Sequence, residues 1–435
     1  MSRTDAVEYL LGLPQYANDE GAYTPGLERM EALMDAMDHP HEAIRTVHVA
    51  GTNGKGSVSS MIAAIATAAG LKTGLHTSPH LTHVEQRMCV DGTPAPGDWL
   101  ADTVDEYRAV FNRVEPSFFE VTVALSFLYF AQQQVDLAVV EVGLGGRLDA
   151  TNVLHPALSL ITNIDLDHTD VLGDTLAEIA REKAGIIKPN TPLLSAVTQP
   201  AAQTVLEEVA NKHDAPLRFL RSEVSWWAPH ATLSGSVIDV ETPLRDYDRI
   251  HVSLPGVHQQ TNAALALRAA ELVVPAVQAD AAPVYEGLKD VHALTGFRGR
   301  LDVLQDRPLI VVDVAHNPAG IEASLQTLDV ELTSRGGSLY VGFNAVQGKQ
   351  LSRVGRLLAA RNAQVIPVPV DTPRALSTDA IAEALRAAGA TVLDARPLAD
   401  VLNDFQHFAD PSDALLLTGS HKMVELLPEE WTTRR

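Results

Sequence analysis

The sequence predicts an α/β protein of two domains, each built on a largely parallel sheet. Three observations carry that prediction. The chain has 435 residues, more than one hydrophobic core ordinarily organises. Strand-like and helix-like segments alternate from 44 to 163, and again beyond "TGFRGRLDV". Polar or glycine-rich clusters follow the apolar strands, where sheets of this kind gather their ligands.

Taken in order, "IRTVHVA" reads as a buried strand. After a glycine-rich turn, Val58, Met61, Ile62 and Ile65 recur at helical spacing, and Gly70 suits the C-terminal cap. "KTGLHTS" is a second strand, followed by helices near 98–113 and 120–134. The apolar run "VTVALSFLYFA" is too short to span a bilayer and reads as a buried helix. "DLAVVEVG" and "LSLITNI" read as fully buried strands. Residues 214–256 are rich in short turns and β-type residues and predict a small accessory sheet, with helices near 259–273 and 280–292 beyond it. "TGFRGRLDV" reads as a linker, giving domains of 1–295 and 296–435. The second alternation runs through "LIVVDVA", a helix after Pro318, "SLYVGF", a helix near 350–361, "QVIPVPV", a helix near 378–388 and "DALLLTG". The two halves share a style of folding but no internal repeat.

Composition narrows the function. The chain is 46% apolar and 20% charged, with a formal net charge of −22. That balance argues against a nucleic-acid or anionic-membrane partner. It also requires that positive charge be concentrated locally if the substrate is an anion. Cys89 is the only cysteine, which excludes an intrachain disulfide and a cysteine-based zinc site and fits a cytoplasmic location. "MSRTDAVEYLLGLPQ" has no long apolar run behind a basic start, so no secretory signal is expected.

The segment "HVAGTNGKGSV", 48–58, resembles a phosphate loop but fails the general pattern G-x-x-x-x-G-K-[ST] twice. Val49 stands where the first glycine belongs, and Gly56 where the hydroxyl belongs, with Ser57 one place late. The context still suits an anion, because strand, glycine turn and helix together aim backbone N–H groups and a helix N-terminus at one point. Lys55 has the reach for outer phosphates, and Ser57 offers a hydroxyl to Mg²⁺.

"HVAGTNGKGSV", "GLHTSPHL", "VVEVGLGGRLDATNV", "ITNIDLDHTDVLG", "REKAGIIK" and "VVDVAHNPAG" together resemble the folylpolyglutamate synthase and dihydrofolate synthase family of the Mur ligases. The matches run in the family's order from about 20 to 420, and G-T-N-G-K-G-S is that family's own phosphate loop. The resemblance implies an N-terminal P-loop-type ATPase domain with an accessory sheet, a smaller Rossmann-like C-terminal domain, and an active site in the cleft between them. It implies an ATP-dependent amide ligase that adds L-glutamate to dihydropteroate, to folates, or to both. ATP would phosphorylate a carboxylate, and the glutamate amine would displace phosphate from the acyl phosphate. Two Mg²⁺ ions are implied, with a monovalent cation as a further helper, small-molecule partners only, and a monomer.

The same resemblance implies roles. Thr52, Asn53, Gly54, Lys55, Gly56 and Ser57 would hold the phosphates. Asn262 would read adenine, Arg300 would touch the phosphates, Asp313 the ribose, and His316 the phosphate chain. Ser78, Glu141, His168 and Ser57 would bind magnesium. Lys183 would carry a carboxylate formed with CO2 and reach a metal through it; the plainer reading pairs this lysine with Glu178 or Asp174 on an exposed helix. Lys188 competes for the role, although Pro189 suggests an exposed end. Lys183, His316 and Lys55 are the catalytic candidates. Leu27, Glu28 and Arg29 in "TPGLERM", Glu120 in "FFEVT", and Arg147, Leu148 and Asp149 in "GRLD" would line the pterin pocket, with Phe118 and Phe119 equally readable as core. Arg374 would meet a substrate carboxylate, or form a surface salt bridge.

One segment departs from the family. Many relatives carry Asp-Lys-Asp after the second strand of the C-terminal domain, where this chain reads "VGFNAVQGKQL" with Gly348 and Gln350 around Lys349. Three other functions stand beside the ligase reading. A cell-wall amino acid ligase would place its phosphate loop beyond residue 100, behind an extra domain, whereas this loop begins at 51. A nucleotide-hydrolysing switch would not need "REKAGIIK" or "DVAHNP". A purely structural protein would not place polar residues at successive strand ends.

Overall fold

The structure is a computed structural model that describes residues 1–14, 26–228 and 231–432. Thr24 and Pro25 of "TPGLERM" lie outside the described residues. The chain forms two compact units. The first comprises Met1–Ala228, Ile238–Ser253 and Gln259–Phe297, and the second Pro229–Val237, Leu254–His258 and Arg298–Arg435.

The first unit is organised by an eight-stranded sheet. Its strands are β1 (Thr46–Ala50), β2 (Thr73–His76), β3 (Met88–Val90), β4 (Thr93–Pro94), β5 (Leu137–Glu141), β6 (Leu158–Ile161), β7 (Leu193–Ser195) and β8 (Leu217–Phe219), in the order β4-β3-β2-β5-β1-β6-β7-β8. From β2 to β8 every pairing is parallel, and β3 and β4 extend one edge antiparallel. The central strands β1, β5 and β6 are buried along their whole length, which is why they read as continuous apolar runs rather than alternating ones. Because they are parallel, Ala50, Glu141 and Ile161 end on one edge, and the loops that follow share it.

The run "VTVALSFLYFA" lies in the helix Phe118–Gln132, buried on nearly all sides. Ser117 begins it with a capping box, its hydroxyl accepting from Glu120 N while Glu120 accepts from Ser117 N. Phe127, Phe130, Val121 and Leu125 pack with Met30, Leu33 and Phe111 into the core on that side. On the other side Ile161, Ile179, Ile187 and Leu206 form a second cluster under the helices Leu176–Ala184 and Pro200–Lys212.

Strands β9 (Ser225–Trp227), β10 (Ala231–Thr232), β11 (Gly235–Glu241) and β12 (Asp246–Val252) make the accessory sheet. The helix His258–Val273 follows. A buried ionic network fixes its far end. Arg268 donates to Glu223 and to Glu271, each at 2.9 Å, and Glu271 also accepts from Tyr247 OH at 3.0 Å and Thr242 Oγ1 at 2.7 Å.

The second unit holds a six-stranded sheet. Its strands are β13 (Asp302–Gln305), β14 (Leu309–Val312), β15 (Leu339–Phe343), β16 (Gln364–Pro367), β17 (Thr391–Val392) and β18 (Ala414–Thr418), ordered β13-β14-β18-β15-β16-β17. Only β13 is antiparallel to its neighbour. Leu309, Val311, Val341, Val365 and Leu416 pack against Ile321, Leu325 and Leu328 of the helix Pro318–Arg335. Among the described residues no helix is long and apolar enough to cross a membrane.

The structure differs from the sequence expectation at several elements. The 214–256 region does not all belong to the accessory sheet, because β8 completes the main sheet beside β7. The helix expected at 280–292 is two, Ala282–Lys289 and Val291–Thr295, because Asp290 leaves helical geometry between them. The linker "TGFRGRLDV" contains the start of β13, whose backbone groups are satisfied by β14.

The network around Arg268 generates a stability prediction. Arg268→Met leaves Glu271 buried and unbalanced, and should cost about 3–5 kcal/mol in urea unfolding. The double variant Arg268→Met/Glu271→Met should be more stable than Arg268→Met alone. Equal stability of those two variants would show that the charges are not coupled.

Candidate active site

The glycine loop is positioned by the strands on either side of it. The helix Lys55–Ala68 starts from Gly54, whose φ of 82° is in the left-handed region that favours glycine. The loop is then fastened from the β6 side. Thr52 N donates to Asn163 O at 2.9 Å, Asn53 N to the Asn163 side chain at 2.8 Å, and Thr162 Oγ1 to Asn53 O at 2.7 Å. Thr52 Oγ1 also accepts from Asp165 N at 3.0 Å. Lys55 Nζ folds back to Thr52 O at 3.2 Å, so its charge stays at the loop.

The misfit at Gly56 has a steric cause. A Cβ there would lie 3.3 Å from Glu141 Oε2 and 3.1 Å from the Phe297 ring. The carboxylate at the end of β5 and an aromatic ring crowd the place of a serine or threonine side chain, and would have to give by a few tenths of an ångström to admit one. Glu141 Oε2 also accepts from Ser78 N at 3.1 Å, which fixes the "TSPH" turn after β2 against the end of β5. Beside them Arg87 is buried, with its guanidinium 5.0 Å above the Phe118 ring and Nε donating to His80 at 2.9 Å. Burial pulls the Arg87 pKa down to about 10, and the charge of Glu141 works against that fall.

Ser57 is also buried, and its hydroxyl accepts from Gln259 Nε2 at 3.2 Å. Gln259 Oε1 in turn accepts from Asn262 Nδ2 at 2.9 Å. The Asn262 carboxamide lies against Gly54, where a Cβ would come within 2.8 Å of its oxygen. The helix His258–Val273 therefore holds the loop through two residues one helical turn apart.

Lys183 is not an exposed helix lysine. It is 3% exposed, and Nζ donates to Gly51 O at 2.8 Å. Its pKa is lowered to about 7, first by burial and then by the charge of Lys55, with Asp167 and Asp149 pushing the other way. Glu178 is instead spent on the cap of its own helix, accepting from Thr175 Oγ1 at 2.9 Å. Lys188 is not exposed either: Nζ donates to Asn152 O at 2.7 Å, and burial lowers its pKa. His168 begins the helix Thr169–Leu172 with a φ of 50°, and its N–H donates to Asp167 at 2.9 Å.

The residues implied for the pterin fall into two groups. Arg29 Nε donates to both oxygens of Glu120, at 3.1 and 3.2 Å, joining the helix Glu28–Ala36 to Phe118–Gln132. Leu27 precedes that first helix, and Glu28 is exposed at its start. Asp149 is buried and orders its own loop. It accepts from Thr151 N at 3.0 Å, Thr151 Oγ1 at 2.5 Å and Leu144 N at 2.9 Å, and burial raises its pKa. Arg147 pairs with Glu182 at 2.9 Å, beside Lys183, and Leu148 is half-buried next to it.

In the second unit Asp313 is buried at the end of β14. Its carboxylate accepts from Leu301 N at 2.9 Å and Ala315 N at 2.7 Å, and burial raises its pKa against the opposing charge of Arg300. The cap of the helix Pro318–Arg335 is Asn317. His316 Nδ1 lies 3.2 Å from Val314 O, and Arg300 Nη1 donates to Gly299 O at 3.0 Å. Arg374 is half-buried, and its carbonyl accepts from Gln347 N at 2.9 Å.

Sequence reasoning missed Asn163, Gln259, Arg87 and Phe297. Asn163 follows a buried strand, as did the chosen residues, and Gln259 precedes Asn262 by one helical turn, so both carried a signal. Nothing linear marks Arg87 or Phe297. What the first unit assembles is a glycine loop at a helix N-terminus, a fixed carboxylate and a buried amine, with Lys55 and Arg87 as nearby cations.

Comparison with known proteins gives this arrangement its context. Residues 49–270 match the Mur ligase middle domain, and residues 299–421 match the Mur ligase glutamate ligase domain. A dihydrofolate synthase/folylpolyglutamate synthase of Bacillus subtilis is 36% identical over 358 residues, covering 81% of this chain and 82% of the relative. A solved folylpolyglutamate synthase of Mycobacterium tuberculosis, complexed with ADP and AMPPCP, superposes with a TM-score of 0.85 at 32% identity, covering 98% of each chain. The E. coli FolC in complex with DHPP and ADP gives 0.84 at 26% identity, covering 98% of this chain and 96% of that one. The chain thus belongs to the folylpolyglutamate and dihydrofolate synthase family of the Mur ligases.

Proposed function

We propose that this protein is an ATP-dependent ligase that joins L-glutamate to dihydropteroate and extends the glutamate tail of folates. The observation that carries the reading is the buried Lys183 amine bonded beneath the phosphate loop, with Glu141 at the loop's other flank. The family's relatives, including one complexed with ADP and DHPP, support the substrate classes.

The chain's own residues supply binding and orientation. The 51–57 loop and Lys55 take the phosphates, Asn262 the base, and Arg300, Asp313 and His316 the rest of the nucleotide. A substrate carboxylate oxygen attacks the terminal phosphorus and ADP departs. The glutamate nitrogen then attacks the acyl carbon, loses a proton, and expels phosphate. Leu27, Glu28, Arg29, Glu120, Arg147, Leu148 and Asp149 are proposed to shape the pterin side. Of these, Glu120 and Asp149 act chiefly by holding backbone and Arg29 in place.

The donor set fits magnesium. Ser78, Glu141 and a carboxylated Lys183 offer hard oxygens at the phosphate loop, with His168 as the softer exception and Ser57 behind Gln259. Bound Mg²⁺ supplies neutralisation of the phosphate charge. Lys183 reaches its working form when the neutral amine adds to CO2, forming an N–C bond and releasing a proton. Only the neutral amine reacts, so a pKa of about 7 makes the reaction favourable above neutrality and suppresses it below.

Two experiments test this reading. Protein with ATP, Mg²⁺, labelled glutamate and dihydropteroate or a reduced folate should give a glutamylated pterin, and ATP turnover without pterin-dependent product would sink the ligase assignment. With ¹³C-bicarbonate, a carbamate signal should appear at about pH 8, weaken below pH 7, and be missing from Lys183→Ala, which should also lose at least about 100-fold in ligation. A fully active Lys183→Ala variant would remove the lysine from the mechanism.

A further inference from the structure

Lys183 lies at the weak end of its helix. It is the last residue but one of Leu176–Ala184, and the carbonyls of a final turn have no partner within their own helix. Its long stem is also among the side chains that lose most freedom on ordering. Yet Nζ is sealed from solvent and meets Gly51 O at 2.8 Å. The groups that fix this turn come from the segment after β5. Arg147 N donates to Glu182 O at 2.8 Å. Asn152, in the short helical turn Ala150–Val153, is buried, and its Nδ2 donates to Arg147 O at 2.9 Å and to Gly185 O at 3.0 Å. From β6, Ser159 Oγ donates to Ile186 O at 2.9 Å. Lys188 closes the tie from the other side, with Nζ donating to Asn152 O at 2.7 Å.

The two backbones also touch directly. A Cβ on Gly185 would lie 2.4 Å from Arg147 Cα, and one on Gly146 would lie 2.9 Å from Glu182 O. Gly185 has an ordinary helical φ of −61°, so contact rather than conformation demands glycine there. The orientation of the Asn152 carboxamide is settled as well, because only its N–H₂ group can meet two carbonyl oxygens. Asn152 is thus the joint through which loop and helix hold each other, and Lys188 holds Asn152.

We propose that Asn152 and Lys188 are positioning residues for Lys183: they clamp the last turn of its helix to the segment after β5 and so hold the amine where it takes up CO2. The proposal rests on the ligase reading above. It gives Lys188, the second lysine of "REKAGIIK", a task distinct from carboxylation, since what it contributes is a hydrogen bond to a carbonyl. The clamped segment also carries Arg147, Leu148 and Asp149, so the residues proposed for the pterin side share one anchorage with the modified lysine.

The test uses the full chain at about pH 8 and follows the carbamate signal as ¹³C-bicarbonate is varied. Asn152→Asp keeps the side-chain shape and removes both donors. It should raise the bicarbonate needed for half-modification about 10-fold, as for buried carbonyls left without partners. Lys188→Met should act in the same direction, and Lys188→Arg, which retains a donor, should stay within about threefold of the parent. Ligation by each variant should recover as bicarbonate restores the carbamate. An unchanged carbamate titration in folded Asn152→Asp and Lys188→Met would overturn the clamp, even with a raised pterin KM, and would leave Asn152 a support of its own loop. A signal lost from Lys188→Met and kept by Lys183→Ala would also overturn it, by making Lys188 the modified residue. If Asn152→Asp does not fold, Gly185→Ala gives the same comparison by pressing the loop off the helix. A parent protein with no carbamate signal would overturn the carboxylated-lysine reading and the clamp with it, whereas unaffected variants would overturn the clamp alone.

Discussion

The amine of Lys183 donates to Gly51 O from a position sealed from solvent, and the glycine loop is built on top of that buried nitrogen. A protonated amine in such a place is expensive. The acidic neighbours Asp149 and Asp167 offset part of the cost, yet burial and Lys55 prevail. Much of the surrounding architecture follows from this arrangement. Asp149 is itself buried and spends its oxygens on its own loop. The β6 loop clasps Thr52 and Asn53, so the carbonyl that Lys183 meets does not drift.

The same loop is held from a second direction. Gln259 and Asn262 touch it from a helix whose other end is fixed by Arg268, Glu223 and Glu271. The accessory sheet, with Thr242 just after β11 and Tyr247 on β12, therefore bears on the glycine loop without approaching it, since both hydroxyls complete the Glu271 carboxylate. A region that looks like decoration in the sequence is part of the support for the phosphate loop.

Much of this was legible in the sequence where apolar period and strand-end chemistry agree. The central strands and the long helices announce themselves by burial pattern, and the glycine loop by its place between a strand and a helix. Contacts across sequence distance were not legible. Phe297 presses on Gly56 from 241 positions away, by the difference of their residue numbers, and no local pattern records it. Lys183 misled a purely local reading because helical spacing offered it Glu178, while capping claimed that carboxylate. The short strand β13 was hidden for the same reason, because its pairing with β14 decided it.

The crowding at Gly56 has an evolutionary consequence. In the general phosphate loop a hydroxyl residue follows the lysine, and a single codon change could supply it here. Its Cβ would arrive against Glu141 Oε2 and the Phe297 ring at once. Three distant positions are thereby coupled: a lineage that exchanged this loop for the general form would need Glu141 or the Phe297 ring to give by a few tenths of an ångström.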